Sequence, residues 1–160
     1  MNGLEGLVLL RVHEAMRRCD RPSIDDWARV LADVPLFAGV SKRRLRKLVR
    51  AATFAEVAAG HTVTSNGNGS DSVYIILSGA AKELRKPASR ELGVGDYFGE
   101  SALIDGAPRS ATVVAMHDLH VMRLPARSLM RLARKHPAMT LTMLRNLSVE
   151  LGRLEAQVAR

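Results

Sequence analysis

Apolar residues recur at helical spacing through the first third of the chain, then give way to short β-type runs between glycines, and return to helical spacing at the end. Leu4, Leu7, Val8, Val12, Ala15 and Met16 return every three or four residues, which predicts an amphipathic helix over residues 4–19. Pro22 and Ser23 break it. A second helix is expected from Asp25, with Ser23 as its cap and Trp27, Val30 and Leu31 on its apolar face; Pro35 ends or bends it. Ser41 then serves as the cap of a third helix, strongly basic, that runs to about Ala52.

From Thr53 the texture changes. Thr62 to Thr64 and Val73 to Leu77 are short runs rich in β-forming residues, separated by Gly60, Gly67, Gly69 and Gly79. Further strands are expected around Leu84 and Leu92, over residues 110–116 and over 119–124, before Pro125 closes the β region. The Asn66-Gly67-Asn68-Gly69 cluster marks a tight turn. A last helix starts near Ser128 or after Pro137 and continues to the end. This order predicts an α+β fold with three parts: a helical segment over residues 1–52, a compact roll of strands over 53–126, and C-terminal helices over 127–160.

In the last helix Leu144, Leu147, Leu151, Leu154 and Val158 alternate three and four residues apart, one seam of a helix. The seam suits either a short coiled coil with a second copy, giving a homodimer, or packing on the protein's own roll. Gly152 interrupts it at a cost of about 1 kcal/mol relative to alanine, which fits a segment that shifts between two packings.

The formal charge of +8 suits nucleic acid, acidic lipid or an anionic small molecule alike. Lys42, Arg43, Arg44, Arg46, Lys47 and Arg50 interleave with Leu45, Leu48 and Val49, and are read as the solvated face of an amphipathic helix rather than as a nucleic-acid patch. Cys19 has no partner, the run Leu7 to Leu10 is too short to span a bilayer, and no secretory leader is visible; a cytoplasmic setting without a membrane segment is expected. His61, His117, His120 and His136 lack the spacing of a shared metal site, and no serine sits in a nucleophile elbow. Neither a metal, a cofactor nor a catalytic role is expected.

The most informative stretch is residues 98–113, Phe98-Gly99-Glu100-Ser101-Ala102-Leu103-Ile104-Asp105-Gly106-Ala107-Pro108-Arg109-Ser110-Ala111-Thr112-Val113. It sets a glycine where backbone must approach something closely, an acid beside it, a short helical turn at Ser101 to Ile104, and an Asp-Gly turn that delivers one arginine. Free N–H groups at the start of a helical turn attract negative charge, and a guanidinium grips two oxygens of one phosphate. The neighbouring carboxylate cannot bind the same phosphate, so it accepts a hydrogen bond from a hydroxyl nearby. Phosphate plus hydroxyl describes a sugar phosphate. A plain salt bridge between Glu100 and Arg109 is the simpler alternative, and the two readings are compatible.

This stretch resembles the phosphate-binding cassette of the cyclic-nucleotide-binding family in Phe98-Gly99-Glu100, Ala102-Leu103 and Arg109 with Ala111-Thr112-Val113. The resemblance extends to Gly60, Val63, Gly67, Asp71, Tyr74, Ile75, Ile76 and Gly79, and to Val34-Pro35-Leu36-Phe37, covering about residues 30–155. It implies a jelly-roll-like β-roll flanked by helices. It also implies that Arg109 meets the cyclic phosphate, Glu100 the ribose 2′-hydroxyl, and backbone groups of Gly99, Ser101 and Ala102 further ligand atoms, with Ser110 near phosphate and base. The implied ligand is cyclic AMP, or cyclic GMP, since serine after the arginine does not choose sharply between them. In the family a side chain on the last helix often closes over the base, and Leu151 or Leu154 is the expected one here.

The resemblance implies a sensor or regulatory domain, with a regulatory domain of a channel or enzyme and a truncated catabolite-activator-type transcription regulator as alternatives. The chain ends at Arg160 with no room for a recognition helix, so sequence-specific DNA binding is not expected. Two departures stand out. The hairpin from Lys82 to Leu92 is short, with Pro87 in its loop, and Glu83 falls where the family has an apolar strand residue. A bulge turning Glu83 outward is the expectation; pointing inward, it would accept a hydrogen bond from an adenine amino group.

Overall fold

The computed structural model describes residues 8, 11, 22–65, 67, 71–85, 88–100, 103 and 111–159. Among the described residues the helices with full bounds, α1 (Ile24–Asp33), α2 (Lys42–Arg50), α3 (Ala126–Lys135) and α4 (Pro137–Val158), bracket eight strands. These are β1 (Thr53–Val57), β2 (Thr62–Thr64), β3 (Ser72–Ser78), β4 (Ala81–Leu84), β5 (Arg90–Leu92), β6 (Tyr97–Phe98), β7 (Thr112–Ala115) and β8 (Leu119–Pro125). Among the described residues the strands form two four-stranded sheets, ordered β1-β8-β3-β6 and β2-β7-β4-β5, with every pairing antiparallel. This is the α+β roll that the sequence predicts.

Strand β3 explains why Val73 to Leu77 carries no polar alternation. Val73, Ile75 and Leu77 join the cluster formed with the helices, where Trp27, Leu31, Phe37, Leu45, Leu129 and Met139 are buried. The intervening Ile76 faces the other way, into the roll, against Phe98, Val113 and Leu119, and Tyr74 stacks on Phe98 with ring centroids 5.1 Å apart. A strand covered on both faces has no solvent side to mark with polar residues. Strand β8 divides the same way, Met122 and Leu124 toward the helices, Leu119 and Val121 into the roll.

The ends of the helices refine the sequence reading. Ser23 caps α1 in a full capping box, with Asp26 returning the bond to the Ser23 backbone. Ser41 holds the N-cap position of α2, but its side chain makes no capping bond. The last helix is two: α3 starts at Ala126, directly after β8, and α4 starts at Pro137, whose ring suits a first helical turn. Of the helix expected over residues 4–19, Val8 and Arg11 are described; both are helical, Val8 is buried, and Arg11 reaches Asp33 at 3.1 Å. Gly67 stands in the expected turn, while Asn66, Asn68 and Gly69 lie outside the described residues. No helix among the described residues is long and apolar enough to cross a membrane.

Candidate functional site

Strand β6 leads into Gly99, whose φ of +88° is a conformation that a side chain would strain. Leu103, which is helical, donates its N–H to the Glu100 carbonyl at 2.8 Å. Leu103 is buried in the helical cluster. Glu100 faces a cavity of about 340 Å³ between the β4–β5 hairpin, β6 and α4. Of the residues predicted to form the site, Gly99 and Glu100 are described and Glu100 lines this cavity; Ser101, Ala102, Arg109 and Ser110 lie outside the described residues.

Desolvation raises the Glu100 carboxyl above its ordinary value, and the nearby Glu83 adds to this, while its own backbone N–H, Arg90 and Arg85 pull the other way. A carboxylate so placed gains from any hydroxyl that donates to it. Tyr97, beside it, is also raised, chiefly by burial, and its hydroxyl accepts a hydrogen bond from Asn146 Nδ2 of α4 at 3.0 Å.

Glu83 does not turn outward. Strand β4 pairs with β7 in unbroken register from Ala81 to Leu84, so no bulge intervenes, and Ala81 and Glu83 share the inner face while Lys82 and Leu84 are exposed. At 4% exposure Glu83 is buried, and the cost of that is met by two arginines. Arg85 Nη2 reaches Glu83 Oε1 at 2.7 Å and Arg90 Nη2 reaches Oε2 at 3.0 Å. Arg90 stands directly opposite Glu83 across the hairpin. Both guanidinium groups also face Glu150 of α4, at 3.7 Å from Arg85 and 3.6 Å from Arg90. An acid pointing inward therefore meets this chain's own cations, which occupy it in place of the adenine amino group considered above.

The outcome is a cavity closed on one side by α4 through two polar ties, Glu150 with the hairpin arginines and Asn146 with Tyr97. Arg85 Nε is buried there and has no hydrogen-bond partner among the described residues, which leaves it a donor to offer. Helix α4 turns Asn146, Leu147, Glu150 and Arg153 toward the cavity; Leu151 and Leu154, the expected caps over the base, are not part of its lining. Leu151 is instead exposed, as are Leu144 and Val158, while Leu147 and Leu154 are half-buried. The seam splits into one row that faces the protein and one that faces solvent. Sequence reasoning missed Arg85, Arg90, Tyr97, Asn146 and Glu150. The signal for the first two was the opposed Glu83 and Arg90 across a short hairpin; for the α4 residues no motif marks the face that meets the roll.

Residues 54–136, more than half of the chain, match the family profile of the cyclic nucleotide-binding domain. A cyclic nucleotide-gated potassium channel of Rhizobium etli is 35% identical over 121 residues, covering 76% of this chain and 33% of the channel. A CRP-like cAMP-activated global transcriptional regulator of Mycobacterium tuberculosis is 28% identical over 136 residues, covering 81% of this chain and 61% of the regulator. Among solved structures, the regulatory domain of Toxoplasma gondii PKA with cAMP superposes with a TM-score of 0.70 at 24% identity, over 78% of this chain and 50% of that one. The chain thus spans about a third of the channel and less than two thirds of the regulator.

Proposed function

The chain belongs to the cyclic nucleotide-binding domain family, and from that premise we propose that it is a cyclic AMP sensor in which ligand binding is read out by movement of α4. The observation that carries the reading is the cavity beneath α4, with Glu100 in its wall and two polar ties holding the helix over it. The cyclic phosphate would lie against Arg109 and the backbone of Ser101 and Ala102, with Gly99 giving close approach and Glu100 accepting the ribose 2′-hydroxyl. Ser110 would sit between phosphate and base. The raised Glu100 carboxyl supports its part, because a hydroxyl donor is what a partly desolvated carboxylate lacks.

Coupling follows from the same geometry. A nucleotide base entering the cavity competes for Arg85 and Arg90, the groups that hold Glu150, so occupancy and helix position share one set of interactions. The protein would act as a regulatory module without catalysis of its own, in the cytoplasm, passing its signal to a further domain or partner. The exposed row Leu144, Leu151 and Val158 on α4 is the surface through which two copies would pair. The fit of only part of the channel and the regulator keeps both as models for the larger system such a module serves. DNA would be bound by this chain through charge alone, without sequence preference.

The test is a calorimetric titration with cyclic AMP and cyclic GMP, followed by hydrogen exchange of residues 138–159 with and without the tighter ligand. The reading expects 1:1 binding, a modest preference for cyclic AMP and altered exchange along α4. A stronger response to cyclic GMP reverses the ligand assignment, and unaltered exchange makes α4 a static brace.

A further inference from the structure

Away from the nucleotide cavity, Arg44 at the start of α2 donates a hydrogen bond to His136 Nε2, at the C-cap of α3. The groove along α2 and α3 has a volume of about 690 Å³. Five permanent cations line it, Arg43, Arg44 and Lys47 from α2 with Arg131 and Lys135 from α3, and no described carboxylate does. Among the described residues Arg43, Lys47, Arg131 and Lys135 make no ion pair.

This is more than a solvated basic face. The first turn of α2 holds Lys42, Arg43 and Arg44 and no acid, which sets positive charge on the positive end of the helix dipole. Ser41, the N-cap residue, lines the groove and offers no side-chain bond to the free N–H groups. A chain free to choose would put acids there. Each helix repeats its cations four residues apart, Arg43 with Lys47 and Arg131 with Lys135, a spacing of about 6 Å along the axis. Two rows of cations thus face each other across a concave floor that includes the buried Leu48 and Leu132.

We propose that this groove binds a small ligand carrying several linked phosphate groups, at a site separate from the cyclic nucleotide cavity. Mutual repulsion among five cations and their opposition to the dipole are both relieved by one polyanion. The concavity argues for a small ligand, because the volume falls in the range of small-molecule sites, about 300–1,000 Å³. A duplex or a bilayer surface meets protrusions or flat faces more readily than a groove of this size.

The probe is inorganic tripolyphosphate, titrated calorimetrically into the whole chain in the absence of cyclic nucleotide, with duplex DNA and vesicles containing phosphatidylserine as parallel arms. Saturable 1:1 binding is expected. Lys47→Glu with Arg131→Glu should weaken it at least tenfold, and Lys82→Glu, exposed on β4 and remote from the groove, should leave it unchanged. Lys47→Gln with Arg131→Gln, checked for an unaltered thermal transition, guards against a charge-reversed variant that fails to fold. Absence of saturable binding, or equal binding by the wild type and both groove variants, overturns the proposal. So does binding of DNA or vesicles that depends on Lys47 and Arg131 while tripolyphosphate fails to bind.

Discussion

Replacing Glu150 with glutamine removes one charge from the cluster that ties α4 to the hairpin and leaves side-chain volume nearly unchanged. Glu150 stands 3.6 Å from Arg90 and 3.7 Å from Arg85, beyond good hydrogen-bond range, so the loss is chiefly of charge attraction. Its side chain is 13% exposed and those of the arginines 19% and 25%. That sets the contact between surface pairs, worth about 0–1 kcal/mol, and buried pairs, whose breakage costs about 3–5 kcal/mol. Glu83 still contacts both arginines, one through each carboxylate oxygen, which draws the expected cost down to about 1–2 kcal/mol. A change of that size raises the open population of the segment by about five- to thirtyfold. Met139 and Met143 remain buried, so the first turns of α4 should hold. Native-state hydrogen exchange reads the effect: residues 146–158 should exchange faster in Glu150→Gln, and 139–143 at the wild-type rate. Equal exchange throughout α4 in both proteins would refute the idea that this cluster holds the helix down.

Other expectations follow from the same structure. A ligand hydroxyl donating to Glu100 favours its carboxylate form, and burial holds that group above 4.5 in the free protein; cyclic AMP affinity should therefore fall as pH drops through the raised value, and calorimetry on Glu100→Gln should show that dependence gone. For the free protein the sign reverses. A raised folded value means that Glu100 costs stability as pH rises from 4.5 through it, so Glu100→Gln should melt higher than wild type above that window. Gly79→Ala should lower the thermal midpoint, at a cost of about 2 kcal/mol or more, because φ is +85° and the new Cβ would lie 2.3 Å from the Asp118 carbonyl oxygen. Leu151→Glu should shift sedimentation from dimer to monomer if α4 pairs through its exposed row; a wild type that stays monomeric at all concentrations excludes that pairing.

How far the sequence could be read depended on whether a residue's environment is local. The Ser23 cap bonds an N–H three residues on, and the strand runs from Thr62 to Thr64 and from Val73 to Leu77 carry their own β-forming composition, so each was legible. Strand β6, two residues long, owes its existence to pairing with Tyr74 and Ile75, and no local pattern announces it. Glu83 failed for a related reason. Its burial is made tolerable by Arg85 and Arg90, and the second of these becomes a partner only once the hairpin register is set. In the candidate site, the contiguous cassette marked Glu100, which lines the cavity. The face that α4 turns to the cavity was not legible, since apolar periodicity marks Leu151 and Leu154 while the contacts are made by Asn146 and Glu150.

The central claim is that a cyclic nucleotide is held by the cassette, and the most direct measurement is a calorimetric titration of cyclic AMP into wild type and Arg109→Ala under identical conditions. The lost guanidinium leaves a phosphate desolvated without its cation, at a cost of about 2–5 kcal/mol, or tens to thousands of times in dissociation constant. Arg109→Lys should recover part of this, since an ammonium supplies the charge without the planar fork. The wild type should bind 1:1, and the alanine variant should show that loss with an unchanged thermal transition without ligand. No binding by the wild type, or equal binding by a well-folded Arg109→Ala, would contradict it.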